Sequence, residues 1–317
     1  MDEFEIIAQI FAPLATAPGA FGLKDDAAVI PARPGFDLVV SIDQIAEGTD
    51  FFAHDPAASI AQKALRVNLS DLAAKGAKPE FYLLNLSLPA GMTAEWLRAF
   101  AAGLAADQKR YGVSLLGGDT GRTEGPISVS ITAFGFVPEG QMLKRSGARP
   151  GDDVYVTGTI GDSGGGLAIF KREKHNLSEQ DRDYLTTRYR LPEPRMGLSE
   201  KLRGLASASV DISDGLIADL GHVAAASHVH IDVEAIPRSD ASRALWGEGM
   251  EAVVRAATAG DDYEIAFTAN PAREKDIMAA AGNIAVTRIG TVTAGEGVDL
   301  SHQGRIVPVL KPGYRHF

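Results

Sequence analysis

A carboxylate on the buried face of a helix is the feature that most constrains this chain. Pro56 to Lys75 reads as one helix, and on a period of 3.6 residues Ile60, Ala64, Val67 and Asp71 fall on a single stripe. Asp71 therefore points where the core points. An ionised side chain there is costly unless it is paired or metal-bound, so the rest of the sequence has to supply partners. Four further Asp motifs are flanked by small residues: Lys24-Asp25-Asp26-Ala27, Ser41-Ile42-Asp43, Gly117-Gly118-Asp119-Thr120 and Asp211-Ile212-Ser213-Asp214-Gly215. Any one of these Asp residues alone is an ordinary turn or capping residue. Together they form an oxygen-only donor set of the kind that holds magnesium along with its waters and nucleotide phosphates.

The bulk properties narrow the class. A chain of 317 residues is long for one core, and two domains of roughly 150 residues each are expected. The apolar periodicity stops at Arg145-Ser146-Gly147-Ala148-Arg149-Pro150-Gly151-Asp152, which sets the expected domains at 1–148 and 149–317. A formal charge of -10 without a basic block disfavours nucleic acid as a partner, although a small phosphate ligand could still bind through divalent cations. Cysteine is absent, which excludes disulfides, thiolate metal sites and a cysteine nucleophile and fits a cytoplasmic protein. The acidic start Met1-Asp2-Glu3-Phe4-Glu5 does not read as a signal peptide, and no uncharged stretch is long enough for a membrane helix. Seven histidines lack metal-ligand spacing; His228 and His230 have no third partner in the sequence, so zinc is not expected.

Along the first half the pattern predicts a helix over Phe4 to Phe11 and short strands at Ala28 to Ile30 and Leu38 to Ile42, the latter buried. After the Asp71 helix come a strand from Phe81 to Leu88, a helix capped by Thr93 and running to about Arg110, and strands at 113–116 and 127–137. The second half reads as alternating α/β: strands near 154–157, 208–212, 231, 263–268 and 285–289, with helices near 167–171, 181–189, 195–203, 216–226 and after Ser239, Glu251 and Pro271. The fold class is therefore α/β, or α+β, in two domains.

Gly161-Asp162-Ser163-Gly164-Gly165 fits a nucleophile elbow, with Asp211 or Asp214 and His222 downstream in the order of an α/β-hydrolase. Gly158-Thr159-Ile160 intervenes after the strand, which weakens that reading. The alternative is a glycine-rich turn that opens a helix and can cradle a phosphate. No P-loop motif occurs. A non-catalytic nucleotide or metal binder is a third possibility.

Taken in order, Lys24-Asp25-Asp26-Ala27-Ala28, Glu47-Gly48, Asn68-Leu69-Ser70-Asp71-Leu72-Ala73-Ala74, Gly117-Gly118-Asp119-Thr120, Arg145-Ser146-Gly147, residues 157–163, Asp211-Ile212-Ser213-Asp214-Gly215-Leu216, Asp262-Tyr263-Glu264 and Gly313-Tyr314-Arg315-His316-Phe317 span nearly the whole chain. In that order the chain resembles the thiamine-monophosphate kinases of the aminoimidazole ribonucleotide synthetase-related superfamily. The resemblance implies an N-terminal domain whose mixed sheet forms a barrel with that of a second subunit, a C-terminal α/β sandwich domain, and ATP and substrate in the cleft between them. It implies a homodimer that uses ATP and magnesium to phosphorylate thiamine monophosphate.

The resemblance also assigns roles. Asp26, Ser41, Ile42, Asp43, Asp71, Asp119, Asp211 and Asp214 would bind magnesium, with Asp71, Asp119 and Asp214 central to catalysis. Gly118, Asp119, Arg145 and Ser213 would contact ATP, and Asp50, Asp261 and Tyr314 the thiamine phosphate. The family usually has His at position 50, Glu at 261, glycine at 24 and threonine at 42, so the departures gather at the acceptor side. The chemistry agrees with the residues present: an acceptor phosphate is already ionised at neutral pH, so no general base is required.

Overall fold

The Asp71 helix organises the first part of the structure, a computed structural model that describes residues 3–173 and 176–315. Met1, Asp2, His316 and Phe317, singled out above, lie outside the described residues. Two compact units emerge: Met1–Leu72 with Ala77–Gly140, and Ala73–Gly76 with Gln141–Phe317. Among the described residues no helix is long and apolar enough to cross a membrane.

The first unit contains α1 (Glu3–Ile6), which continues as a wider turn to Phe11, α2 (Ala57–Ala74) and α3 (Ala94–Tyr111). Its sheet has the order β1-β4-β2-β3, with β1 (Phe36–Ala46), β2 (Lys78–Leu88), β3 (Ser114–Arg122) and β4 (Ser128–Pro138). β1/β4 and β4/β2 are antiparallel and β2/β3 is parallel. Ile60, Ala64 and Val67 are buried and Asp71 half-buried, as the stripe requires. Thr93 caps α3 as its sequence position predicts, its side chain accepting the Trp96 N–H at 3.1 Å. Arg66 and Asp107 form a buried bidentate pair that ties α2 to α3.

Three sequence expectations fail here, each for a physical reason. Ala28 to Ile30 is not a strand; Ala28 and Ile30 pack against the cluster of Ala15, Ala20 and Leu116, while Val29 is exposed. The strand containing Leu38 to Ile42 is not buried: Val39 is, but Phe36, Leu38, Val40 and Ile42 are 43%, 45%, 53% and 65% exposed. β1 is an edge strand, and alternate residues point to opposite faces, one covered by α2 and one open. β3 does not stop before Gly117 but runs through Gly118 and Asp119 in parallel register with β2, pairing Gly118 with Leu84 and Asp119 with Asn85.

The second unit is built on a seven-stranded mixed sheet of order β11-β10-β7-β9-β5-β8-β6. Its strands are β5 (Asp153–Thr157), β6 (Ala208–Asp211), β7 (His230–Val233), β8 (Ile265–Ala269), β9 (Val286–Thr293), β10 (Gly297–His302) and β11 (Arg305–Val307). Its helices are α4 (Asp162–Phe170), α5 (Glu179–Arg190), α6 (Met196–Ser199), α7 (Leu216–Ser227), α8 (Asp240–Trp246), α9 (Met250–Thr258) and α10 (Glu274–Ala281). The β10/β11 hairpin is absent from the sequence reading, and α4 begins at Asp162, inside the glycine-rich run. The glycines there allow close packing, since a Cβ at Gly165 or Gly166 would press on Leu185. Most strand pairs in this sheet are antiparallel, and β7 and β10 pair in parallel. β5, β6 and β8 are buried throughout or nearly so, which puts the core under the loops that follow them.

Candidate functional site

In the first unit α2 and β1 bring Ser41, Asp43 and Asp71 together. Asn68 and Asp71 lie three residues apart on one face of α2, so both reach β1. Asn68 accepts the Asp43 main-chain N–H at 2.9 Å, while its amide donates to the Ala64 carbonyl at 3.0 Å. Ser41 Oγ donates to Asp71 Oδ2. Burial first, then the charge of Asp71 and a hydrogen bond with it, pushes the Asp43 carboxyl up to about 7; Asp50 adds to the same effect. Asp50 belongs to a tight turn in which its carboxylate accepts the Ala46 N–H at 2.8 Å and Lys63 donates to its carbonyl. Ile42 points to the open face of the strand.

A second grouping in the same unit lines a cavity of about 520 Å³: Asp25, Asp26, Gly117, Gly118, Asp119 and Thr120 form its polar side, with Leu83, Leu116 and Phe11 among its apolar wall. Gly118 is required there, because a Cβ would collide with the Leu84 carbonyl of the adjacent strand.

In the second unit Asp211, 5% exposed, ends β6, and Ser213-Asp214-Gly215 turns into α7. Two other segments dock on that turn. Asp261 N–H donates to the Ser213 carbonyl and Tyr263 N–H to the Ile212 carbonyl, both at 2.8 Å. The Tyr314 N–H donates to the Asp214 carbonyl at 2.9 Å, leaving the half-exposed phenol outward. Asp211, Ser213, Asp214, Asp261 and Tyr314 are thus gathered by backbone hydrogen bonds. Arg145 is exposed, its carbonyl held by Ser227 Oγ at 3.1 Å.

One residue that the sequence reading missed supports this turn. Asp219, in the first turn of α7, accepts the N–H groups of Ser213, Asp214 and Gly215 on one oxygen at 3.0 to 3.1 Å. Burial and the charge of Asp214 nevertheless push its carboxyl up to about 7. Its signal was available, because Leu216, Asp219, Leu220 and Val223 form a buried stripe with a carboxylate in it, the pattern that picked out Asp71.

The Ser163 side chain does not show the arrangement of a nucleophile hydrogen-bonded to a base. It is buried in the first turn of α4 with no hydrogen-bond partner among the described residues, whereas His222 lies with Asp214 and Asp219. His230, to which the sequence gave no third partner, has two in space: its Nε2 is 3.3 Å from Asp232 and 3.6 Å from Asp299, while Nδ1 meets the Glu296 carbonyl. The contact with Asp299 joins the parallel strands β7 and β10.

Residues 24–137 match the family described as AIR synthase related protein, N-terminal domain, and residues 149–303 match its C-terminal domain. The thiamine-monophosphate kinase of Caulobacter vibrioides is 42% identical over 99% of this chain and 90% of that protein. The crystal structure of thiamine-monophosphate kinase from Stenotrophomonas maltophilia K279a is similar at 41% identity and a TM-score of 0.82, covering 88% of this chain and 90% of that one. The protein AaThiL, complexed with AMPPCP and TMP, is similar at 30% identity and a TM-score of 0.80, covering 99% of this chain and 97% of that one.

Proposed function

Because the chain belongs to the thiamine-monophosphate kinases of the AIR synthase related family, we propose that it transfers the γ-phosphoryl group of ATP to thiamine monophosphate, giving thiamine diphosphate and ADP. The observation that carries this reading is the convergence of Asp43 and Asp71 with Ser41, at positions where the family's carboxylate motifs fall.

The donor set fits magnesium. It is oxygen-only, and the repulsion that raises Asp43 is of the kind a hard cation relieves. Asp26, Ser41, Asp43, Asp71, Asp119, Asp211 and Asp214 would hold such ions, with Ile42 able to contribute only its main chain. When bound, magnesium would neutralise the crowded charge of the reacting phosphates. Gly118, Asp119, Arg145 and Ser213 contact ATP in this reading; a β-strand glycine lets the nucleotide approach the main chain, and the arginine adds charge complementarity. Asp50, Asp261 and Tyr314 orient the acceptor, whose ionised phosphate oxygen attacks in line without a base. The domains proposed from sequence, 1–148 for nucleotide and metal binding and 149–317 for the C-terminal α/β part, divide the chain slightly beyond Gly140, where the first compact unit ends.

The open apolar row on β1 supports a homodimer in which the four-stranded sheets of two copies complete a barrel. A cysteine-free chain of this kind suits the cytoplasm.

Phosphorus NMR with ATP, thiamine monophosphate and magnesium tests the reaction. A magnesium-dependent thiamine diphosphate signal with stoichiometric ADP is expected. Nucleotide binding without that product would mean a different phosphate acceptor, with Asp50 and Asp261 as the residues that changed it.

A further inference from the structure

Asp262 stands between two residues in left-handed backbone conformation, Asp261 at φ 68° and Tyr263 at φ 51°. Non-glycine residues adopt that conformation at a cost, so two in three positions require the surroundings to enforce it. Here they are enforced from both sides. Asp261 and Tyr263 are pinned through their N–H groups to Ser213 and Ile212, and the Tyr263 hydroxyl donates to Asp261 Oδ1 at 3.3 Å.

The side chain of Asp262 takes a different course. It is fully buried, and its carboxylate reaches the start of α4, where Oδ2 accepts the Gly161 N–H at 2.6 Å and Oδ1 the Ser163 N–H at 3.2 Å. Gly161, the N-cap of that helix, offers no side chain of its own, so Asp262 caps α4 from a hundred residues away in sequence. Arg188 donates to the Asp262 carbonyl at 3.2 Å and to Glu264 at 2.9 Å. Glu264 is itself buried against Arg195 and Thr157. A rigid frame therefore surrounds one loop, and the half-buried residue that this frame presents is Asp261.

We propose that Asp262 is a positioning residue for the phosphate acceptor: by clamping its loop to the start of α4, it fixes Asp261 and, through the Ser213 and Ile212 carbonyls, the turn carrying Asp214. The idea rests on Asp261 contacting the acceptor, as in the function proposed above. None of the sequence motifs assigned Asp262 a role; it is one residue removed from the chemistry and faces away from it.

The experiment compares wild type with Asp262→Asn, which keeps one acceptor oxygen, and Asp262→Ala, which keeps none. Each is followed by steady-state kinetics in both substrates and by amide hydrogen exchange of peptides covering 211–215 and 259–263. Loss of a residue that orients the ligands of a metal site typically costs about 10- to 100-fold; by the same logic KM for thiamine monophosphate should rise by roughly tenfold in the Asn variant, with a smaller rise in KM for ATP because Ser213 and Asp214 lie on the turn that the loop holds. Exchange in both peptides should accelerate in the order Asp, Asn, Ala. Should the Ala variant fail to fold, the Asn variant carries the test. Wild-type exchange in a folded Asn variant would overturn the clamp, and faster exchange with an unchanged acceptor KM would overturn its link to the acceptor. If wild type itself does not use thiamine monophosphate, the proposed reaction fails, and the exchange result still decides whether Asp262 holds the loop.

Discussion

Asp43 of β1 and Asp71 of α2 meet as two half-buried carboxyl groups, with Ser41 donating to the second and Asn68 holding the main chain of the first. The fold thereby concentrates negative charge at a point where nothing about packing asks for it.

Removing one of these charges should stabilise the metal-free protein. An Asp carboxyl titrates near 3.9 in an unfolded chain, and Asp43 is pushed up to about 7 in the fold. Between those values the folded state holds the proton that the unfolded state has released, so stability falls as pH rises through this window and the penalty is complete above it. Asp43→Asn, able to donate a hydrogen bond to Asp71, should raise the melting temperature at pH 8 by the equivalent of about 1 kcal/mol or more and have no such effect at pH 4. It should also abolish phosphoryl transfer. Calorimetry at both pH values with a turnover assay checks the two halves together.

Gly118→Ala should separate from Gly117→Ala. The added methyl at 118 meets the Leu84 carbonyl, which cannot move without parting β2 from β3, whereas at 117 it would rest 3.4 Å from the mobile end of Leu83. A loss of about 1–3 kcal/mol is expected at 118, accompanied by weaker ATP binding, with little change at 117. Thermal melts and nucleotide titration of both variants measure this.

Placing a lysine at Leu38 or Val40 should leave a folded monomer if the open face of β1 joins two copies. These side chains are about half exposed and contribute little to the core of their own unit, but a charge among them would oppose association. Sedimentation velocity is the readout. A monomeric wild-type protein would remove the dimer from the account.

The parts of the fold legible in the sequence were those with a strong local signature. The α2 stripe, the Thr93 cap and the Asp positions at element ends depend on neighbours three or four residues away. What failed depends on partners far along the chain. Leu38 to Ile42 reads as a buried strand because apolar runs usually are, and only its edge position leaves one face bare. Ala28 to Ile30 has strand composition but finds no strand to pair with. The β10/β11 hairpin is short and glycine-flanked, so its pattern is weak. In the site, Asp71 and Asp219 were equally visible, since each interrupts an apolar helical stripe, but only the first was picked out. Asp262 stands in a motif that the sequence shows, but its capping role could not have been found there, because its partners at Gly161 and Ser163 are set by tertiary contact alone.

β1 carries two obligations on alternate residues: Ser41 and Asp43 face α2, while Leu38, Val40 and Ile42 face outward. A strand has only two sides, so a one-residue slip exchanges them completely. Deleting a single residue after Val39 would turn the carboxylate out and bring hydrocarbon in, disabling the proposed cation binding and the proposed self-association in one event. Substitutions can tune either property separately, but insertions and deletions cannot, and descendants of this protein are bound to keep the strand's spacing as a single heritable frame.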